Sequence, residues 1–320
     1  MFAVGFLIIG MGNISSSPGK IILKIPEVQA DSATTGVTVG NAAPTTGTVI
    51  LNAGGAISLT ASDTAVVYAT TTITDTDGWA NISTVTATFY NSSSSLADGY
   101  KQECTANENS CYKSAGSYLG VTCDWINATT ATTYDASCTT DMYFDAIPTD
   151  AGDWSTTLGY ATTDWEVWFQ GTDAANATGA ATTSQELTTL SGVEVEEIGI
   201  DYGTVGANAT SATGKTITIN TTGNCPINTN VTGENMETTT LSIPVEQQKY
   251  ATSGDVGYED LGWTASDTVV LLNLDSGKTE ATSTPATDIV YWGILIPAAQ
   301  TVGDYYGTNT IGVVEDTVDF

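Results

Sequence analysis

The chain has 320 residues, of which 41% are hydrophobic, so it is long enough for two domains with apolar cores. Its 36 acidic residues outnumber 7 basic ones, giving a net charge of −29, and neither arginine nor histidine occurs. A nucleic-acid partner is excluded because phosphate binding depends on Lys and Arg. Without histidine, the commonest general base and metal ligand is missing, so we expect no enzyme.

Residues 1–30 form an apolar N-terminal arm. Large side chains alternate along Phe2–Ile9 and again along Ile21–Ile25, which is the pattern of a β-strand. The first eleven residues are too few to span a bilayer as a helix, so we expect no membrane span in the mature chain. We predict that the arm adds a strand to a sheet of another subunit. The residues expected to join subunits are Phe2, Val4, Phe6, Leu7, Ile8, Ile9, Ile21, Leu23 and Ile25.

A second interpretation of the arm is a residual signal peptide. Val28, Gln29 and Ala30 resemble a small-x-small cleavage site, and the apolar run resembles a hydrophobic region of such a peptide. However, the run has no basic residues before it, and eighteen residues separate it from the site. Both interpretations stay open at this point, and both indicate a secreted chain.

A first β-sandwich is predicted over residues 31–190. The sequence contains 58 threonines, many of them in strand-like runs such as Thr64–Thr74. Short alternating runs separated by Gly, Asn and Asp predict antiparallel strands rather than alternating strands and helices. The sequence therefore indicates an all-β fold.

An acidic turn precedes one of these strands. Asp75 and Asp77 are candidate calcium ligands, because carboxylate oxygens suit this cation. The spacing does not fit an EF-hand, and an Asx turn, in which Asp binds its own backbone, is the simpler interpretation. Beyond the turn, Val85, Ala87 and Phe89 are predicted to share one face of a strand.

Residues 91–140 are predicted to be a long loop closed by disulfides. Cys104, Cys111, Cys123 and Cys138 lie in this window without the CxxC spacing of zinc sites. Four cysteines allow three pairings, of which we favour Cys104–Cys111 with Cys123–Cys138. Cys225 remains as a buried thiol or an intermolecular partner.

Three tryptophans follow this loop. Trp154, Trp165 and Trp168 could form a platform that stacks on carbohydrate, but Trp165, Val167 and Phe169 share one face at period two. This period favours a core role for the aromatic side chains.

A second β-sandwich is predicted over residues 191–320, after a linker at residues 172–191 whose charge and apolar content are low. The second sandwich opens with Glu194, Glu196 and Glu197. These residues could be paired catalytic carboxylates or a cation site, but alternation places Glu194 and Glu196 on the solvent face of a strand.

Eight N-x-S/T sequons occur, and they are candidate glycan acceptors on a secreted chain. They are Asn13, Asn81, Asn91, Asn127, Asn176, Asn208, Asn220 and Asn230. Together with the clustered cysteines, they indicate an extracellular or cell-surface location.

Three stretches resemble large secreted surface proteins of archaea and some uncultivated bacteria, which are built from immunoglobulin-like sandwiches. The stretches are Thr38–Pro44, Asp75–Tyr90 and Trp292–Pro297 followed by Gly303–Asn309. The resemblance implies two immunoglobulin-like domains in a surface layer, an adhesin or an extracellular filament. It implies no catalytic residues.

We therefore expect a structural subunit of an extracellular filament, polymerising with copies of itself as the arm of one subunit inserts into the sandwich of a neighbour. Such a head-to-tail contact does not close and so produces a fibre. The alternative is a cell-surface adhesin, glycan-binding protein or surface-layer protein. No cofactor is required, apart from calcium if the acidic turn binds it. The net charge makes packed copies repel, so assembly should depend on screening by cations.

Overall fold

The computed structural model describes residues 35–93, 104–114, 119–197, 199–212, 214–254, 257–272, 274 and 276–316. The chain divides into two compact units, residues 1–40 and residues 41–320. In the first unit, residues 35–40 are exposed and form no strand, and Val37 and Val39 point into solvent.

The second unit begins with an antiparallel β-sandwich. Its strands are β1 (Thr45–Thr46), β2 (Ile50–Leu51), β3 (Thr64–Thr74), β4 (Ile82–Asn91), β5 (Cys111–Lys113), β6 (Thr122–Ala128), β7 (Thr133–Tyr143), β8 (Trp165–Asp173) and β9 (Thr178–Gln185). One sheet has the order β1-β3-β7-β6, with β2 also paired to β3, and the other has the order β5-β4-β8-β9. This arrangement confirms the predicted all-β, antiparallel fold.

The core of the first sandwich follows the alternation seen in the sequence. Strand β3 matches the predicted run Thr64–Thr74, and its Val67, Ala69 and Ile73 are buried between the sheets. Trp165, Val167 and Phe169 of β8 face them, with side chains alternately buried and half-buried along the strand. A strand that contributes one face to a core needs this period of two.

Two interpretations of loops were wrong. The predicted linker 172–191 contains β9, which pairs with β8 from Thr178 to Gln185. Strand β9 is built from small Thr, Ala and Gly residues, so its composition resembles a linker although its backbone is fully paired to β8. The predicted loop 91–140 contains β6 and most of β7, and β7 pairs with all eleven residues of β3.

A second antiparallel sandwich follows. Its strands are β10 (Val193–Val195), β11 (Lys215–Thr221), β12 (Ile227–Gly233), β13 (Met236–Glu237), β14 (Ser242–Ile243), β15 (Gln248–Ala251), β16 (Trp263–Thr264), β17 (Val270–Leu271), β18 (Thr287–Ile294) and β19 (Asn309–Glu315). One sheet has the order β10-β11-β18-β15-β16, a second has the order β17-β12-β19, and β13 pairs with β14. Ile219, Val231, Tyr250, Val290 and Trp292 lie in the core between the two larger sheets.

Helical structure is confined to short turns in the described part of the chain. They are the α-helix α1 (Asp153–Thr157) and the 3₁₀ turns Asn52–Gly54, Trp79–Asn81, Tyr160–Thr162, Val245–Gln247 and Tyr258–Asp260. None of the helices that the structure describes has the length and apolar character needed to cross a membrane.

The two sandwiches meet through buried contacts on either side of α1. Trp154 of α1 packs against Cys225 and Ile227 of the second sandwich, and the Trp154 backbone N–H donates to Glu315 Oε1 at 2.7 Å. Asn224, which follows β11, bonds to the backbone of Leu190. The junction is therefore packed and hydrogen-bonded rather than an open linker.

Candidate functional site

The predicted subunit-joining residues of the arm, from Phe2 to Ile25, and the sequon at Asn13 lie outside the described residues. Their roles stay predictions. The described residues instead show what surfaces the body of the protein offers to such an arm.

The acidic turn forms a hydrogen-bonded network around Asp75. The Asp75 carboxylate accepts the Asp77 N–H at 2.8 Å and the Asn81 side-chain amide at 3.2 Å. The Asp77 carboxylate accepts the Ala42 N–H at 2.7 Å. Both candidate calcium ligands therefore receive N–H donors, and the bond from Asp77 N–H to the Asp75 carboxylate is that of an Asx turn. No group of three acidic or cysteine side chains suited to a metal occurs among the described residues.

A second carboxylate extends this network. Asp173 at the end of β8 accepts the Asn41 side-chain amide at 2.7 Å and the Ala175 and Ala177 N–H groups at 2.9 and 2.8 Å. The hydrogen bond from Asn41 lowers the pKa of Asp173, because it stabilises the ionised form. The network thus fixes the start of the body to the sheet of β8.

The cysteines pair as the sequence favours. Disulfides join Cys104 to Cys111 and Cys123 to Cys138, and the second bond links residues directly opposite each other on β6 and β7. Cys225 is a free, buried thiol beside Ser191. Burial raises the pKa of this thiol to about 11, which suppresses the reactive thiolate.

The three tryptophans singled out in the sequence do not form a surface platform. Trp154 and Trp165 are buried, and Trp168 packs against Tyr90 and the Cys104–Cys111 disulfide. The core interpretation therefore holds for Trp154 and Trp165, whereas Trp168 is half-buried.

The glutamate cluster lies at the edge of the second sandwich. Glu194 and Glu196 are exposed, and Glu196 accepts the Asn220 side-chain amide at 2.9 Å. Glu197 accepts the backbone N–H and the hydroxyl of Thr218. Glu196 and Glu197 therefore bind the neighbouring strand β11, which is a structural role.

The sequons differ in accessibility. Asn127, Asn176 and Asn208 are exposed, and Asn81 and Asn230 are half-buried. Asn91 and Asn220 are buried, at 0% and 6% exposure. A glycan on either buried side chain would not fit the folded sandwich, so the folded structure is compatible with acceptors at the exposed sites.

An exposed aromatic cluster lies elsewhere on the first sandwich. The ring of Tyr134 lies 4.9 Å from the ring of Trp125 and 5.3 Å from that of Trp79. Trp125 and Trp79 keep 38% and 40% of their surface exposed. The sequence interpretation missed this cluster, although Trp125 stands out as an aromatic residue in an otherwise polar strand.

A buried charged cluster lies at the junction of the sandwiches. Asp145 is fully buried, and neither of its carboxylate oxygens has a hydrogen-bond partner among the described residues. Burial raises the pKa of Asp145 to about 6, an effect that nearby Lys278 opposes. Lys278 donates to the Asn109 side chain, and Glu108 accepts the N–H and the hydroxyl of Thr282 at 2.7 and 2.8 Å. Sequence reasoning could not pair residues this far apart in the chain.

Three long strands lie at sheet edges in the described structure, namely β6, β9 and β19. The outer side of β9 is covered, because the Thr46 hydroxyl bonds to Gly179 O at 2.7 Å and Pro44 lies against the same glycine. Strands β6 and β19, with seven residues each, have no strand on their outer sides among the described residues. Such an edge can pair with another chain.

The backbone direction along β19 can be derived from its neighbour. On β12, Ile227 exchanges hydrogen bonds with Ser276, and Thr229 O accepts the Leu272 N–H at 2.7 Å. The backbone N–H and C=O groups of Ile227 and Thr229 therefore point away from β19. The ladder between the two strands is formed by Asn228, Asn230 and Thr232 of β12 and their partners Val314, Gly312 and Thr310 of β19. The N–H and C=O groups of Asn309, Ile311, Val313 and Glu315 therefore point to the open edge.

A groove of mixed polarity lies at the Asn309 end of this edge, between the two sheets of the second sandwich. It has a volume of about 340 Å³, and its walls include the apolar residues Val195, Ile200, Tyr202, Ile217, Met236 and Ile311 and the polar residues Glu197, Gln248, Thr308 and Asn309. Past Tyr202 and Met236 it borders a second depression of about 660 Å³ lined by Ile243, Ile294 and Ile296. Ile217 and Ile294 are core residues, so the groove reaches the interior of the sandwich.

No protein-family model and no curated protein sequence matches the chain. Among solved structures, it is similar to a chain of the CsuC–CsuE chaperone–tip adhesion subunit pre-assembly complex from archaic chaperone-usher Csu pili of Acinetobacter baumannii. The sequence identity is 10%, the match covers 81% of this chain and 96% of that chain, and the TM-score is 0.34. The secreted serine protease VesC from Vibrio cholerae matches at 8% identity, with 81% and 49% covered and a TM-score of 0.18. TM-scores of this size do not establish a shared fold or function.

Proposed function

We propose that this protein is a non-catalytic structural subunit of an extracellular filament, in which the N-terminal arm of one copy inserts as a strand into a β-sandwich of the next. The observation that carries the proposal is a sheet edge that no described strand pairs with, beside a groove partly lined by apolar side chains, in a chain whose arm alternates like a strand. Each copy has both an open sheet edge and an arm that can form a strand. When the arm of one copy pairs with the edge of the next, the head-to-tail contact repeats from copy to copy.

The energetics require the acceptor to be preformed. Burying Phe2, Val4 and Phe6 together with Leu7, Ile8 and Ile9 contributes about 1.5 to 3 kcal/mol each, or roughly 9 to 18 kcal/mol in total. Ordering about ten residues costs roughly 1 to 2 kcal/mol each, which is a similar sum. The net free energy of insertion must therefore come from backbone hydrogen bonds along an existing edge and from contacts in an existing groove.

An extracellular location suits the covalent chemistry of the chain. Two disulfides join residues of the first sandwich, and disulfides persist in oxidising compartments. Exposed sequons at Asn127, Asn176 and Asn208 fit the same location.

Deleting residues 1–30 tests the proposal. We expect the truncated chain to stay folded, because residues 41–320 form a compact unit with their own cores, but to form no filaments by electron microscopy. A chain in which the order of residues 2–9 is scrambled, with composition unchanged, is the control for nonspecific hydrophobic association of the arm. Filaments formed by the truncated chain would contradict the proposal.

A glycan-binding adhesin is the second candidate function, and the exposed cluster of Trp79, Trp125 and Tyr134 favours it. Aromatic rings at a surface can stack on sugars, and contiguous exposed apolar side chains mark interaction sites. A glycan array tests it, with Trp125→Ala as the variant and Trp263→Ala, an equally exposed tryptophan on the second sandwich, as the control. Saturable binding lost in the first variant alone would support the adhesin.

A further inference from the structure

The two sandwiches share one strand plan. In an immunoglobulin-like sandwich, strands A-B-E-D form one sheet and strands C-F-G form the other. In the first sandwich, β1-β3-β7-β6 take positions A, B, E and D. Strands β4, β8 and β9 take positions C, F and G, with β5 added beside β4. All seven positions are filled, and β9 at position G pairs antiparallel with eight residues of β8.

The second sandwich adds β16 beside β15, β17 beside β12 and the pair β13-β14, and it lacks one strand of the plan among the described residues. Strands β10-β11-β18-β15 take positions A, B, E and D, while β12 and β19 take positions C and F. Position G, on the outer side of β19, holds no strand among the described residues. The groove of Val195, Ile200 and Ile311 lies where the side chains of that strand would enter the core.

We infer that the outer edge of β19 is the acceptor, and that residues Phe2–Ile8 of another copy occupy position G of the second sandwich. This inference rests on the proposed function and names the acceptor edge. The outward N–H and C=O groups of Ile311 and Val313 supply the pairing. The Ile311 side chain packs on the core of this sandwich, and the Val313 side chain packs on the cluster around Trp154 at the junction of the sandwiches. An inserted strand therefore continues both the ladder and the core.

The arm matches the groove in pattern. Phe2, Val4, Phe6 and Ile8 stand at every second position, so a strand paired to β19 places all four on the core side. Thirty-four residues precede the described part of the chain. At about 3.3 Å per residue, a seven-residue strand uses roughly 23 Å and leaves some 25 residues to reach a neighbour.

Charge favours one direction of insertion. Residues 1–30 contain Lys20 and Lys24 against Glu27, whereas the rest of the chain has 5 lysines and 35 acidic residues. A cleft near the start of β19 is lined by Glu234, Glu237, Glu246 and Asp267. An arm antiparallel to β19, as β9 is to β8, runs from Glu315 toward Asn309 and carries its two lysines to this acidic end.

The other open edge fits the arm less well. Strand β6 is exposed at nearly every position, it carries the sequon at Asn127, and its Cys123 is tied to β7 by a disulfide. In the first sandwich, position G is already occupied by β9. Among the long strands that the structure describes, only β19 combines an open edge with a groove whose walls include apolar side chains from both sheets.

Full-length variants test the acceptor. Ile311→Lys places a charge in the groove, Phe6→Asp places one in the arm, and Ile126→Lys on β6 is the matched control at the other open edge. We expect Ile126→Lys to form filaments like the unmodified chain and each of the other two to form none. Mixing Ile311→Lys with Phe6→Asp should give one-to-one dimers, because one intact arm and one intact acceptor remain.

The outcomes separate the inference from the proposed function. Normal filaments from Phe6→Asp would overturn both. If Phe6→Asp forms no filaments but Ile311→Lys forms normal ones, the β19 acceptor alone is overturned. The same holds if Ile126→Lys forms no filaments while Ile311→Lys assembles normally.

A further variant carries a second copy of residues 1–12 after Phe320, joined by a Gly-Ser linker. It tests the same acceptor without a substitution in the groove, so the test does not depend on whether Ile311→Lys folds. It should remain a folded monomer with a raised Tm, because its own strand fills position G. Unimpaired polymerisation of this variant, or an unchanged Tm, would also overturn the inference.

Discussion

Asn224 and Leu190 form a reciprocal contact between the two sandwiches. The Leu190 N–H donates to Asn224 Oδ1 at 2.6 Å, and the Asn224 N–H donates to Leu190 O at 2.9 Å. The Asn224 side-chain amide also donates to Thr188 O at 3.1 Å. Asn224 is fully buried, so these bonds are shielded from water and hold the end of the first sandwich to the start of β12.

Replacing Asn224 with Ala should destabilise the protein by about 2 to 4 kcal/mol. The change removes the side-chain partner of the Leu190 N–H and of the Thr188 carbonyl, which are part-buried, and a buried group that loses its partner costs about 1 to 3 kcal/mol. Denaturant unfolding measures the free energy of unfolding. Asn127→Ala, on the exposed strand β6, is the control and should change it by less than about 0.5 kcal/mol. Equal effects of the two variants would contradict the buried junction.

Asp145 should make stability depend on pH. Because burial raises its pKa from 3.8 to about 6, the folded chain binds more protons than the unfolded chain between these values. The free energy of unfolding therefore falls as pH rises through this window, by up to roughly 3 kcal/mol at 1.36 kcal/mol per unit. Asp145→Asn should remove this contribution, so the variant gains stability over the unmodified chain at pH 7 and not below pH 4.

The control for this pH dependence is Asp141→Asn. Asp141 lies exposed on β7 in the same part of the chain, so we expect no such gain. Unfolding followed at pH values from 3.5 to 8 supplies the comparison. A difference between Asp145→Asn and the unmodified chain that does not change with pH would show that Asp145 is not desolvated.

Thiol labelling should detect Cys225 only after unfolding. The side chain is buried, and burial raises its pKa to about 11, so both access and thiolate formation are suppressed at pH 8. Without reductant, unfolding should release one reactive thiol per chain, since the other four cysteines form disulfides. Rapid labelling of the folded chain would contradict the buried position, and more than one thiol after unfolding would contradict the pairing.

Glycan occupancy, where the chain is glycosylated, should follow exposure. We expect Asn127, Asn176 and Asn208 to carry glycans and Asn91 and Asn220 to carry none. Mass spectrometry of glycopeptides from native material gives the occupancy of each sequon. Full occupancy at Asn91 or Asn220 would contradict the burial of these residues.

The strands with strong β propensity or alternation were predictable from sequence. Thr64–Thr74 is rich in threonine and β-branched or aromatic residues, which favour strands, and it is strand β3. The run from Trp165 alternates, and it became β8. By contrast, β9 has only small side chains, and in β12 asparagines separate the apolar residues, so neither gives a clear period. Pairing to a neighbour, rather than local pattern, determines such strands.

The candidate site was predictable only on the donor side. The arm shows its apolar alternation directly in the sequence. The acceptor depends on which strands become neighbours, since Val195 and Ile311 are far apart in the chain and line one groove only after folding. The disulfide pairs were favoured correctly because short sequence separations limit the alternatives, whereas the electrostatic interaction of Asp145 with Lys278 had no local signal.

Residue-resolved amide hydrogen exchange along β19 tests the central claim most directly. The measurement uses the chain that lacks residues 1–30. The N–H groups of Thr310, Gly312 and Val314 pair with β12 and should exchange slowly. Those of Ile311 and Val313 point to the open edge and should exchange fast. Adding a peptide of residues 1–12 should slow exchange at Ile311 and Val313 and leave β6 unchanged. Unchanged exchange at Ile311 and Val313, or protection that appears on β6 instead, would contradict the account.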